Sequence, residues 1–237
     1  MQRLVIMVLF VGIFFYAGEV CGQVQKKNAP SRAPVDIECI TSALKAMNVS
    51  MDKFDFTPFN NKTYIMKFFI DEYENGVKTS KSQEREYGET KLLLSKMGLP
   101  EKNLMEFKRE MGLDKDEKVF TRLSTISIYI IPKNDSTAMI SVDMKGMGAF
   151  GVPIRLKTIN GLTEPAYNNV PFKLVPSSEK KINIPLVAYC SFWWDKNFNI
   201  ARGCRESEEA EPNMSDKFFQ LVPHYYVVGV RLEETAE

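Results

Sequence analysis

The sequence predicts an α+β protein, with an N-terminal helix and short helices early and a strand-rich, mainly antiparallel C-terminal half. Three observations carry that expectation. Apolar residues recur at three- and four-residue intervals at Ile37, Ile40, Leu44 and Met47, the spacing of one helix face. From Ser124 the pattern changes to strict alternation, with Ile126, Ile128 and Ile130 set against Ser127 and Tyr129. Turn signals such as Asn75-Gly76 punctuate the strand-like runs at short intervals.

The chain begins with targeting features. Arg3 precedes an unbroken apolar run over residues 4–17, followed by the small-residue stretch Val20-Cys21-Gly22 ahead of Gln23. A basic start, an apolar stretch and small residues, in that order, form an export signal cleaved after Gly22. The run is shorter than the roughly 20 apolar residues a spanning helix needs, so no transmembrane anchor is expected once the signal is cut. Lipid attachment at Cys21 is disfavoured, because Val20 and Glu19 stand where smaller residues normally precede a modified cysteine. The expected location is therefore periplasmic, cell-surface or secreted.

Residues 23–35 hold prolines, lysines and few apolar groups, which suits a flexible arm. A single α+β domain over residues 36–237 follows, with a charged run at 114–118 as one place for a subdivision. Asp36 stands ready to cap the first helix. The run from Tyr64 to Tyr73 reads as a strand whose two faces are both partly apolar through Ile65 and Phe69. Asn75-Gly76 then turns the chain back into a more polar, edge-like strand from Val77. Leu92, Leu93 and Met97 suit a short helix ended by Gly98, and Pro100 opens a second with Leu104, Phe107 and Met111 on one face before Gly112.

The Ile126 strand is expected to stop at Pro132 and to form a hairpin with Ala138, Ile140, Val142 and Met144. Gly146, Gly148 and Gly151 around Phe150 suggest a bent connection, and a strand through Val152, Ile154 and Leu156 follows. Later strands fit residues 170–175, 182–189 and 225–232. Pro153, Pro171 and Pro185 favour edges or strand starts there.

Composition narrows the function. The 237 residues are 44% hydrophobic and 26% charged, an ordinary globular balance. A formal net charge of +1 supplies no field for nucleic acid, which is not an expected partner. The one histidine, His224, excludes multi-histidine metal sites and reads as a surface or satisfied structural residue. Glu72 with Glu74, or Glu164 in a Thr-Glu-Pro turn, are acids of the kind a hydrolase can use, but solvated charge is the plainer reading of them.

The richest segment runs from Cys190 to Glu211 and holds both tryptophans. Trp193, Trp194, Asp195 and Arg202 combine aromatic faces with orienting polar groups, as a glycan or protein-binding surface does, while core packing of a tryptophan is the plainer alternative. Asp195, Asn197, Asn199 and Glu206 fall at positions one, three, five and twelve of a Ca²⁺ loop, but Ile200 stands where the glycine belongs. In an oxidising compartment Cys190 and Cys204 can form a short-loop disulfide, against an alternative of inert thiols. Sequons at Asn48, Asn61, Asn134 and Asn213 would accept glycans in a eukaryotic host.

The Gln after a small residue and the Cys-Ser-Phe-Trp-Trp…Ala-Arg-Gly-Cys segment resemble an uncharacterised family of exported Bacteroidetes proteins, a domain of unknown function. The resemblance implies no catalytic residue. The expected function is an exported, non-enzymatic binding or accessory protein for a protein or glycan partner. A signature-less secreted hydrolase using a carboxylate pair, and a structural or assembly subunit of the cell surface, are the alternatives.

Overall fold

The computed structural model describes residues 35–159, 162–203 and 208–235. The chain divides into two units, Thr41–Glu237, which is compact, and Met1–Ile40. Of the second unit the described part is Val35, Asp36 and the start of helix α1 (Ile37–Ala46). The signal at 1–22 and most of the arm at 23–35 lie outside the described residues. Asp36 caps α1 as expected, its Oδ1 accepting the Cys39 backbone N–H at 2.8 Å. The helix buries none of its residues, and its apolar stripe is exposed at Ile37 and Ile40.

The remaining architecture is mainly β, which corrects the α+β expectation. Sheet one holds β1 (Ser50–Asp55), β7 (Thr125–Asn134), β8 (Thr137–Met144) and β9 (Gly148–Arg155) in that spatial order. Sheet two runs β10 (Tyr167–Pro171), β11 (Lys181–Ser191), β14 (His224–Glu234), β2 (Tyr64–Glu74), with β3 (Val77–Lys78) and β4 (Gln83–Glu89) sharing the far side of β2. All these pairings are antiparallel. Helices are few because the apolar period in most of the chain is two. The expected helix near Leu92 is instead a strand stub, β5 (Lys91–Leu93), paired with β6 (Val119–Thr121), then a 3₁₀ turn at Leu94–Met97. The Pro100-led helix exists as α2 (Glu101–Met111), and Gly98 and Gly112 each adopt the left-handed cap conformation.

The two sheets pack face to face. Ile126, Ile128, Ile130, Ile140 and Val142 of sheet one meet Met66, Phe68, Val228, Val230 and Leu232 of sheet two in one buried cluster. Phe68 and Phe150 touch edge-to-face across the layers at 5.1 Å between centroids. Sheet two is buried on its other face as well, where Phe69, Ala188, Tyr225 and Val227 lie under Phe172, Phe219 and Val222. Phe219 sits on the short helix α3 (Phe218–Leu221). This second cluster explains why Phe69 makes both faces of β2 apolar.

Turns and prolines follow chain chemistry. Asn75 and Gly76 both take positive φ, the type I′ geometry that joins β2 to β3. Strand β7 continues through Pro132 rather than stopping there. Its neighbour β1 ends opposite Ile130, so the missing proline N–H falls beyond that pairing. The expected bent connection falls at Gly146 and Gly148, both at positive φ, while Gly151 lies within β9 in regular register opposite Ser141. Pro185 sits at a register shift in β11, and the extra residue there turns Val187 and Tyr189 toward the sheet interface.

Gly229 marks the tightest approach in sheet two. A Cβ added there would lie 2.4 Å from the Ile184 carbonyl oxygen and 2.6 Å from the Phe69 ring. Gly229→Ala should destabilise the protein by about 1–3 kcal/mol through overpacking. A urea melt measures this, and an unchanged midpoint would contradict the packing.

Candidate functional site

Charged and polar side chains converge at one end of the sheet interface, where apolar packing stops. Pairing of β2 with β14 sets Glu74 opposite His224 and Glu72 opposite Tyr226. Alternation along both strands points these four toward sheet one, continuing the face of Ile70 and Val228. The first residue of β10, Tyr167, pairs with Ser191 and reaches the same end.

His224 is only 1% exposed and Glu72 only 3%, so each needs partners. Nε2 of His224 lies 2.9 Å from Glu72 Oε1 and Nδ1 lies 2.5 Å from the Tyr167 hydroxyl. Tyr167 accepts the Lys157 backbone N–H at 2.9 Å, which leaves its own proton for Nδ1. These partners assign the neutral tautomer, with Nε2–H donating to the Glu72 carboxylate. Glu72 also accepts from Thr79 Oγ1 at 3.1 Å, and Lys81 Nζ stands 4.0 Å from the same oxygen. The Tyr226 hydroxyl is within reach of both the Arg155 carbonyl, at 2.9 Å, and Glu72, at 3.2 Å. Glu74 is ion-paired with Lys157.

Electrostatics hold this network in one charge state. Burial pushes the His224 imidazole below its ordinary value of 6.5, against a smaller opposing pull from Glu72. Burial alone would raise Glu72, but the bonds from His224 and Thr79 and the nearby Lys81 charge keep it below the ordinary carboxylate value. The Lys157 contact lowers Glu74 likewise. Burial raises the Tyr167 and Tyr226 hydroxyls, so both remain protonated donors.

Glu72, Glu74 and His224 offer ligand atoms within 4.8 Å of one another, a spacing that fits a metal ion. The donor set argues against one. Lys157 already neutralises Glu74, and the His224 nitrogen that faces Glu72 carries the proton.

Two concavities flank the network. Tyr167 lines a cleft of about 430 Å³ with Tyr189, Phe192, Asn134, Asp135 and Glu164. The Tyr167 and Tyr189 rings are stacked at 5.0 Å. Burial pushes the Tyr189 hydroxyl up to about 12. Glu72 and Tyr226 line a separate cavity of about 300 Å³.

The residues singled out in the sequence lie on a hairpin next to the larger cleft. Strands β12 (Trp193–Asp195) and β13 (Ile200–Arg202) pair so that Trp193 faces Arg202 and Trp194 faces Ala201. Trp193, Asp195 and Arg202 therefore share one face and Trp194 takes the other. Trp193 packs against the outer cluster of sheet two. Arg202 pairs with Asp195 at 2.7 Å and lies over the Phe198 ring at 4.7 Å. Asp195 Oδ1 accepts the Asn197 backbone N–H at 3.0 Å, so both Asp195 oxygens are engaged within the turn. Asn199 turns the chain with positive φ. Glu206 and Cys204 lie outside the described residues, and with them the full Ca²⁺ set and the disulfide; Cys190 is buried in the outer cluster. At the hairpin's end, a Cβ on Gly203 would meet Phe192 at 2.2 Å and Asn168 at 2.6 Å, and both of those line the cleft.

The sequence singles out Glu72 with Glu74 as one pair and His224 apart from them, and the fold brings all three together. Sequence reasoning missed Tyr167, Tyr226 and Lys157, whose roles depend on strand pairing and leave no local motif.

Fold and site together define an antiparallel β-protein with a buried polar network between two surface concavities. A family model described as a domain of unknown function (DUF5041) matches residues 20–234, and the chain belongs to that family. No curated protein and no solved structure matches the chain. Among the described residues no helix is long and apolar enough to cross a membrane.

The single histidine makes its titration directly readable. With its folded value lowered, the unfolded chain binds more protons below 6.5, so stability is full above that pH and falls as pH drops. Loss of Glu72 ionisation adds further destabilisation at lower pH, in the same direction. Imidazole NMR should show His224 neutral at pH 6.5, and His224→Gln should flatten the stability profile between pH 6.5 and the folded midpoint. A midpoint above 6.5 would contradict the burial argument.

Proposed function

We propose that this is an exported binding or accessory protein without catalytic activity of its own, and that it takes a glycan in the cleft over Tyr167, Tyr189 and Phe192. The observation that carries this reading is the cleft's chemistry. Stacked tyrosines supply an aromatic wall for an apolar sugar face, and Asn134, Asp135 and Glu164 supply acceptors and a donor for hydroxyls. The hairpin with Trp193, Trp194, Asp195 and Arg202 adjoins the cleft through Gly203 and extends the surface a longer ligand would cross. The leader-like residues 1–22 support export.

The carboxylate-pair hydrolase has one observation in its favour, the approach of Glu72 to Glu74. A glycosidase pair needs one carboxyl kept protonated. Here hydrogen bonds and cations hold both below the ordinary value, which supports binding over hydrolysis.

A glycan array followed by calorimetric titration tests the reading. A saturable glycan should bind Asp135→Ala/Glu164→Ala about tenfold more weakly or worse, at an unchanged melting temperature. Equal binding by the variant would remove the cleft from the function. An array with no saturable ligand would end the glycan reading and favour a protein partner.

A further inference from the structure

The larger cleft opens from the end of the space between the sheets, and its floor has a narrow chemistry. Pro132 pairs with Ala138, a residue of the inner cluster, and continues the inward face of Ile126, Ile128 and Ile130. Leu156 and Tyr167 pack against that cluster, and Tyr189 belongs to it. Strand register makes the two tyrosines diagonal neighbours on the same face. All four line the cleft, with the half-buried Pro165 and Ala166 beside them.

The two tyrosine hydroxyls differ. That of Tyr167 is engaged twice, donating to His224 and accepting from Lys157. That of Tyr189 has no hydrogen-bond partner among the described residues, and burial alone accounts for its raised value. Tyr189 is only 4% exposed, so an unmet hydroxyl is costly there. The oxygen is not sealed inside the core, and the cleft is the concavity that Tyr189 lines. The floor thus presents one proton donor ringed by apolar side chains. A sugar hydroxyl placed there brings a second proton. Two hydroxyls facing each other share one proton and leave the other unmet. An acetamido group suits the floor better, because its carbonyl oxygen only accepts and its methyl covers apolar surface.

We propose that the cleft takes an N-acetylated amino sugar, its acetamido carbonyl on the Tyr189 hydroxyl and its methyl against Pro132 and Leu156. This rests on the glycan reading of the cleft and narrows it to one sugar class, with Tyr189 as the residue that sets specificity. At about 430 Å³ the cleft has room for the sugar ring that carries the group.

Calorimetric titration of the full chain with N,N′-diacetylchitobiose, its deacetylated form and cellobiose tests the assignment. These disaccharides share one linkage and differ in carrying acetamido, amino or hydroxyl groups. The acetylated sugar should saturate and bind about tenfold more tightly than either of the others. Tyr189→Phe keeps the ring and removes a hydroxyl that bonds nothing in the protein. Its melting temperature should hold while affinity for the acetylated sugar falls about tenfold. The proposal is overturned if the acetylated sugar fails to saturate, if either other sugar matches it, or if Tyr189→Phe binds it as wild type does. A lowered melting temperature for Tyr189→Phe would also overturn it, since the hydroxyl would then already be engaged. An array hit without acetamido groups would overturn this proposal and leave the glycan reading standing, whereas an array with no saturable ligand would end both.

Discussion

Pairing of β2 with β14 along their full lengths, from Tyr64 opposite Glu234 to Glu74 opposite His224, governs the rest of the molecule. One register accomplishes two things. Over most of its length it aligns Met66, Phe68 and Ile70 with Leu232, Val230 and Val228 as a continuous apolar face. At its last step it sets two carboxylates beside a histidine and a tyrosine where that face ends. A slip by one residue would turn the carboxylates to the opposite face of the sheet and expose the apolar set to the wrong layer. The polar network and the core are consequences of the same alignment.

The network is costly to bury and is compensated by completeness. Each His224 nitrogen has a partner, Glu72 is approached from three sides, and Glu74 has a cation. Such sets confer rigidity when satisfied and become a liability when one member is removed. Their value here is positional. They tie β10, β14, β2 and the end of β9 together where hydrophobic contacts run out, and they keep the walls of both concavities fixed.

Local patterns in the sequence were sufficient for most strands and for the Asn75-Gly76 turn, because period-two alternation and positive-φ residues act over a few positions. Helix content was overestimated around Leu92, where three apolar residues and a glycine suit either a helix or a strand stub, and pairing with Val119–Thr121 decided it. Pro132 looked like a stop because a proline N–H is missing, yet the effect depends on how far the neighbouring strand extends. The site was legible only in pieces. Glu72 and Glu74 are neighbours on β2, but His224 stands most of the chain away, and Tyr167 joins them through a third strand. Trp193 and Trp194 drew notice for their size, and alternation then sent them to opposite faces.

The far side of β2 is covered by two short strands instead of one, with Thr79–Ser82 looping out between them. That gap lets Thr79 and Lys81 reach Glu72. It also leaves the sheet margin broken and strongly charged, with Glu84, Arg85 and Glu86 in sequence and Lys67 and Arg231 paired across to them. A margin interrupted in this way offers no continuous row of peptide groups for a second copy to zip onto. The same discontinuity that opens a cavity therefore denies this one margin a flat edge, and a substitution that closed the loop into an unbroken strand would fill the cavity's mouth and complete that edge together.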